Sequence, residues 1–448
     1  MQEMKLNREI LRLVLPLMAE QFLLIAVGSI DTLMVSGIGE SAVAAVSAMD
    51  SINALFINMF TAIGAGGAVV MAQYLGRDED DKAASIARQL LILVFCLSGA
   101  LMLLTVGLHR PLVQALDRSA DAETMGRSYT YLSITALSFP FLGIYNGCVA
   151  ILRATGDTKS SMKMSLICNG LNILGNALLI FALKMDVAGA ALATLIARAA
   201  VSVLSLRTLF WGNRRVRLPR VDRQFFRLEK KRTVDILRQG IPAGVENSLF
   251  QLGKILVMSI VSTLPTAQRA ANGVCNIIVG LANAPGVALG MGAVALISPV
   301  VGAGKKDEAM HLGKRLLLLM YALELPINLL MAALAKPVLS LYALSDAGRE
   351  AGALVLVVYA LVSIALWSPA LGLPFILRSA GDAKYTMLVS MTTMLLLRVG
   401  VCYLYVFVFK LELMGVWLAM FTDWAARSLL FGYRFFKGKW LDQSAISD

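Results

Sequence analysis

Two carboxylates lie inside the first apolar stretch of the chain. Glu20 and Asp31 both fall within residues 11–36, where a charge in hydrocarbon costs several kcal/mol, roughly, and needs a reason. They are eleven residues apart, close to three helical turns, so a helix presents both on one face. A later apolar segment carries Asn169, Asn172 and Asn176 at i, i+3 and i+7, again one helical face, and the next carries Thr194 and Arg198. A buried carboxylate takes up and releases a proton. An asparagine cannot titrate, but its carbonyl oxygen binds Na⁺ or accepts a hydrogen bond. A buried polar set of these types needs a reason, and a functional site is one. The structural alternatives are a carboxylate neutralised by Arg198 and asparagines that join helices.

Covalent and metal chemistry find little support. The five cysteines (Cys96, Cys148, Cys168, Cys275, Cys402) are scattered through apolar segments without a C-x-x-C, and His109 and His311 stand alone at segment ends. No phosphate-binding G-x-x-x-x-G-K-[ST], no G-x-S-x-G and no H-E-x-x-H occurs. No enzyme activity, no cofactor and no metal beyond Na⁺ at Asp31 is expected, and the energy for any transport must come from an ion gradient.

The elements that position these residues are membrane helices. Of 448 residues, 58% are apolar and 16% charged, with mean hydropathy +0.72. A spanning helix needs ~20 mainly apolar residues. Twelve such spans are expected, at about 11–36, 43–73, 86–108, 128–151, 161–183, 187–210, 237–262, 271–300, 313–342, 352–376, 385–409 and 413–435. The runs are long and continuous, which excludes the short alternating segments of a barrel. The first continues into the rest of the fold rather than ending as a cleavable signal peptide.

The chain is also written twice. Residues 12–90 align without gaps to 238–316: Pro16 with Pro242, Glu20 with Glu246, Gly64 and Gly66 with Gly290 and Gly292, Asp81 with Asp307. Arg153-x-x-Gly156-Asp157-x-Lys159 returns as Arg378-x-x-Gly381-Asp382-x-Lys384. Six spans per half is an even number, so the repeats are parallel. The fold class expected is an all-α polytopic membrane protein, twelve helices in two pseudo-symmetric six-helix bundles, 1–210 and 237–448, joined by a basic cytoplasmic linker, 211–236. A small molecule would bind between the bundles. Most of the 41 Lys and Arg fall on one side of this arrangement, which places both termini in the cytoplasm. The net charge of +12 thus reads as a topology signal and adhesion to anionic lipid, with no nucleic-acid partner.

Duplication separates scaffold from site. Asp31 matches Val257, Asn172 matches Leu397, Asn176 matches Val401 and Thr194 matches Met420. A polar set kept in one half suggests a function there. The shared Glu20 and Glu246 either brace their proline-containing helices or line a cavity. Lys254, Arg269 and Arg398 are expected to snorkel or pair internally. Asp423 has no evident partner, and Glu324 is expected near a cavity or interface. Of the prolines, Pro140, Pro285, Pro369 and Pro374 are expected to kink spans. The glycine clusters at 64–67 and 286–292 allow close contact or bending, and the 22 methionines are mainly core.

The stretch from Leu15-Pro16 through Ile30-Asp31-Thr32 to Gly37 and Gly39, then Gly76-Arg77 and the two R-x-x-G-D-x-K loops, resembles the multidrug and toxic compound extrusion (MATE) transporters over essentially the whole chain. The resemblance implies a secondary antiporter of the plasma (inner) membrane. It would export organic, amphipathic, cationic compounds in exchange for H⁺ or Na⁺ by alternating access, as a monomer. It also implies a cation or proton site at Asp31, Asn172, Asn176 and Thr194. Asn176 departs from the family's aspartate, which removes one carboxylate. Glu246 falls where some members use an acid in span 7. Span 10 has no acid to complete a second cation site. The main rival is a lipid-linked oligosaccharide or lipid flippase of the same broad superfamily, which requires a cationic cavity. An intramembrane enzyme and a membrane scaffold are the rivals from other classes.

Overall fold

Without water to satisfy backbone N–H and C=O groups, an apolar run closes its own hydrogen bonds as a helix. The computed structural model follows this rule throughout. It describes residues 2–116, 121–212 and 227–446, with 216, 218 and 225 between the last two ranges. Of the basic stretch 211–236, residues 213–215, 217, 219–224 and 226 lie outside the described residues.

The chain forms two compact units, Met1–Gly244 with Ile446–Asp448, and Val245–Ala445. In the first unit the order is α1 (Gln2–Ser36), α2 (Glu40–Gly76), α3 (Asp80–Gly107), a short α4 (His109–Leu116), α5 (Ala122–Leu137), α6 (Phe139–Ala154), α7 (Thr158–Asn176) and α8 (Asp186–Arg207). Helices α5 and α6 are one span bent by 48°. The bend sits at Ser138, just before Pro140, which has no N–H to give the preceding turn. Helix α7 continues as a π-helical segment, Ala177–Ala182, and α8 as another, Thr208–Gly212. Helix α1 packs on α7, α7 on α8, and α2 on α3, α5 and α6.

Helix α9 (Lys230–Val261) begins in the first unit and ends in the second. Its first turns are held by glycine. A Cβ on Gly66 would stand 2.5 Å from the Gly240 nitrogen, so the glycine cluster of α2 serves close contact here.

The second unit continues with α10 (Thr266–Gly302), α11 (Lys306–Ser340) and α12 (Asp346–Trp367). A π segment, Ser368–Gly372, starts at the Pro369 region and leads into α13 (Leu373–Ser379). Then come α14 (Ala383–Thr393), a π segment Met394–Gly400, α15 (Val401–Tyr403), a π segment Leu404–Val408 and α16 (Glu412–Phe436). Pro285 sits inside the continuous α10. The core is aromatic: Tyr359 meets Trp417, Trp424 and Phe421 at ring distances of 5.6, 5.6 and 6.2 Å, and Trp367 is fully buried beside them.

Among the described residues nine helices are long and apolar enough to cross a membrane, ten with the bent pair α5–α6 as one span. Helices α9 and α16 take the places of spans 7 and 12. Both carry ionisable residues at mid-helix, Glu246 and Lys254 in one and Asp423 and Arg427 in the other, which lowers their hydropathy. The repeated R-x-x-G-D-x-K loops have a common backbone reason: Gly156 and Gly381 take φ of +84° and +105°, which a side chain resists.

Candidate functional site

Asp31 faces α7. Its Oδ1 accepts from Asn176 Nδ2 at 3.1 Å. Asn172 lies one turn before Asn176, between Asp31 and Thr194. With its amide nitrogen toward Asp31 it donates to both carboxylate oxygens, at 3.0 and 3.2 Å, and its oxygen accepts from Thr194 at 3.0 Å. Turned over, the amide would set its oxygen against the ionised carboxylate, acceptor against acceptor. Thr194 Oγ1 also bonds its own helix at the Ala190 carbonyl, 3.0 Å away. Glycine brings the two helices together: a Cβ on Gly175, beside Asn176, would lie 2.8 Å from the Ala193 Cβ, beside Thr194. The four residues singled out by the asymmetry of the repeat therefore share one place.

They line a cavity of about 170 Å³ with Gly28, Thr32, Tyr131 and a second carboxylate, Asp50 of α2. Asp50 Oδ1 accepts from Tyr131 Oη at 3.1 Å and from Asn53 Nδ2 at 3.3 Å. Sequence reasoning passed over Asp50. The signal was present, since it is an acid inside the second apolar run and its repeat counterpart is Asn276. Arg198 does not neutralise Asp31; its guanidinium donates to Ser138 Oγ at 2.7 Å. Asn176 is only 3% exposed, and its Oδ1 is buried without a hydrogen-bond partner among the described residues. Among the described residues no three His, Cys, Asp or Glu converge as a metal set.

The shared glutamates lie elsewhere. Glu20 is buried, pairs with Arg153 at 2.8 Å and accepts from Ser161 at 3.3 Å. Glu246 pairs with Arg378 at 3.2 Å and accepts from Ser390 at 2.8 Å. Each ties its proline-containing helix to the arginine of its own R-x-x-G-D-x-K loop. Neither lines the Asp31 cavity.

In the second unit the counterparts of the polar set are apolar; Met420 is buried in the core, Val257 packs against it, and Leu397 and Val401 are half-buried. Asp423, which had no evident partner, pairs with Arg427 at 2.7 Å and with Arg398 at 3.9 Å. Arg269 donates to Thr266 Oγ1 at 3.0 Å. Glu324, 1% exposed, accepts from Asn328 at 3.0 Å.

A membrane-protein family model, MatE, matches the chain twice, over residues 16–178 and 242–404, the second match lying 226 residues after the first as in the internal alignment. The uncharacterized transporter YisQ of Bacillus subtilis is 26% identical over 437 residues, covering 96% of this chain and 94% of that protein. The probable multidrug resistance protein YoeA of the same organism is 24% identical, covering 93% and 90%. A multidrug resistance MATE family transporter solved in an outward-facing conformation superposes with a TM-score of 0.89 at 21% identity, covering 97% of this chain and 96% of that one. With both halves matched by the one family model, the chain is a multi-pass membrane transporter that belongs to the MatE family.

Proposed function

We propose that the chain is an antiporter that exports small organic molecules in exchange for H⁺ or Na⁺, with Asp31 as the coupling group. The observation that carries this reading is the hydrogen-bonded Asp31–Asn176 pair in a cavity of one half, where the counterparts in the other half are apolar. An ionised Asp31 only accepts, so both asparagines turn nitrogen toward it, in the orientation where Asn172 reaches both its oxygens. A protonated Asp31 carries an O–H. Asn172 then turns its oxygen to accept that proton, and its nitrogen moves to Thr194. One proton thus reverses an amide and re-pairs α1 with α7 and α8. Sodium would take the same place on the oxygens of Asp31, Asn172, Asn176 and Thr194. Helix α1 is suited to respond, because Pro16 removes one of its backbone hydrogen bonds. Glu20 and Glu246 act in this reading as braces for the two bundles, 1–210 and 237–448, that alternate the access.

An organic cation is the cargo implied by the resemblance, and the acidic cavity agrees with it. Insertion in the plasma (inner) membrane with both termini cytoplasmic, and function as a monomer, belong to the same reading. The test is efflux of ethidium from proteoliposomes under an imposed pH or Na⁺ gradient, for wild type and Asp31→Asn. Gradient-driven flux that vanishes in the variant supports the reading, and the productive gradient names the ion. Flux that persists in Asp31→Asn refutes it.

A further inference from the structure

The second unit has positive charge left over. The ring of Phe250, on α9, has three cations around it: Lys254 Nζ at 5.1 Å from the centroid, Arg398 at 5.7 Å and Arg427 at 5.9 Å. Among the described residues one carboxylate pairs with them, that of Asp423. Arg427 holds Asp423 at 2.7 Å and also donates to Thr393 Oγ1 at 3.0 Å and to the Ser390 carbonyl at 3.1 Å, so this arm is a satisfied structural pair. Arg398 reaches the other Asp423 oxygen only at 3.9 Å. Lys254 has the ring of Phe250 and no ion pair among the described residues. Arg398 is half-buried and Lys254 lies exposed on α9, so the ring of Phe250 is the attraction that the described residues offer Lys254.

The arrangement is built rather than incidental. A Cβ on Gly253 would overlap the Met394 side chain, which places α9 beside the π segment Met394–Gly400 that carries Arg398. That contact holds two like charges beside one ring. A snorkelling lysine would extend toward the helix end at Val261; Lys254 instead lies over Phe250, one turn back. The repeat locates the cluster too. Lys254 aligns with Gly28, which lines the Asp31 cavity, and Arg398 follows Leu397, the counterpart of Asn172. The same part of the duplicated scaffold carries acids in one half and excess bases in the other.

We propose that Lys254 and Arg398, with Phe250 beneath them, bind an oxyanion, a carboxylate or phosphate group, carried by a lipid headgroup or by a transported molecule that bears it beside, or in place of, a positive charge. Arginine offers a planar fork of donors, lysine a point charge, and the ring a face for an adjoining aromatic group. Binding itself does not depend on the coupling role of Asp31; only assignment of the anion to cargo rests on the transport reading.

Carboxyfluorescein is the probe, titrated by fluorescence anisotropy against the purified full-length protein in a neutral maltoside detergent. Wild type is expected to bind it with an affinity that falls as salt rises. Lys254→Gln and Arg398→Gln weaken binding at least tenfold, Lys254→Arg restores it to within threefold, and Asp31→Asn changes it less than twofold. Circular-dichroism melting of each variant identifies any that fails to fold. Two further arms separate the sources. Dye efflux from phosphatidylcholine proteoliposomes that requires Lys254 assigns the anion to cargo. Displacement of the dye by phosphatidylglycerol but not phosphatidylcholine, with no dye efflux, assigns it to a headgroup. Equal dye binding by wild type and Lys254→Gln overturns the proposal, as does a wild type that binds neither the dye nor phosphatidylglycerol. Failure of the coupling reading shows separately, as ethidium flux that survives in Asp31→Asn.

Discussion

In the first unit the space among α1, α7 and α8 is a polar cavity holding Asp31, Asn172, Asn176 and Thr194. In the second unit the matching positions are Val257, Leu397, Val401 and Met420, and Tyr359, Trp417, Phe421 and Trp424 share one apolar cluster with Met420 and Val257. What the halves do share is bracing: Glu20 with Arg153 and Glu246 with Arg378, followed by a glycine with positive φ in each loop. Two copies of one scaffold thus keep the contacts that hold a bundle together and differ in the contacts that could receive an ion. Residues common to both are explained by geometry alone. Residues found in one half are either paired there, as Asp423 is with Arg427, or held by neutral partners, as Asp31 is by Asn176.

The strongest way to break this contrast is to exchange the two halves' residues. Asp31→Asn is expected to reduce gradient-driven ethidium efflux to the level of empty liposomes, because an amide can neither titrate nor supply a negative charge. Val257→Asn, the same side chain at the matching place, is expected to leave flux within threefold. Loss of flux in both, in proteoliposomes with equal amounts of folded protein, would remove the distinction. The braces should behave oppositely. Glu20→Ala and Glu246→Ala each take a buried carboxylate from a half-buried arginine, at a cost of about 2 kcal/mol in stability. Both are expected to lower the thermal midpoint in detergent to a similar extent. A large drop for one and none for the other would mean that the glutamates are not equivalent parts.

How much of this could be read from the chain alone follows from the range of each interaction. Helical spacing is local, so the common face of Asn172 and Asn176, and of Glu20 and Asp31, is visible in the residue numbers. Duplication then singles out the set at Asp31 without any structure. Contacts between helices have no such rule. That Arg153 reaches Glu20 across 133 positions, or that Asp50 enters the Asp31 cavity from α2, depends on how α1 and α2 pack. The Asp423–Arg427 pair is a different case: its i, i+4 spacing was legible and identifies the partner Asp423 lacked on paper. The π segments at the ends of α7 and α8 and through 394–408 have no signature in a single sequence, since the same apolar residues serve an α-helix equally well.

A gentler exchange sharpens the comparison within the site. Asn172→Leu copies the residue of the second half. It removes a donor to Asp31 and a partner of Thr194, while Asn176 still bonds the carboxylate. The coupling group survives and its orientation device is lost. The expected result is about a tenfold rise in the ion concentration needed for half-maximal flux, equivalent to ~1.4 kcal/mol, with maximal flux nearly retained. An ion dependence that does not change would place Asn172 among the helix-joining residues. A complete loss of flux would make it as indispensable as Asp31.

The smallest expected difference concerns the loops that both halves share. Gly156 and Gly381 both need positive φ, so alanine at either costs about 1 kcal/mol for the backbone alone. Their surroundings differ. A Cβ on Gly156 would meet only Leu13 Cδ2, at 3.6 Å, an ordinary contact. A Cβ on Gly381 would stand 2.8 Å from the Ala445 backbone nitrogen, where something must shift. Gly381→Ala is therefore expected to destabilise more than Gly156→Ala, and to loosen the chain segment around Ala445. Thermal melting of the two variants checks the order, and limited proteolysis near residue 445 checks the cause. Equal midpoints with equal protection would mean that the close approach at Gly381 relaxes freely. The two loops would then be interchangeable in energy as well as in sequence.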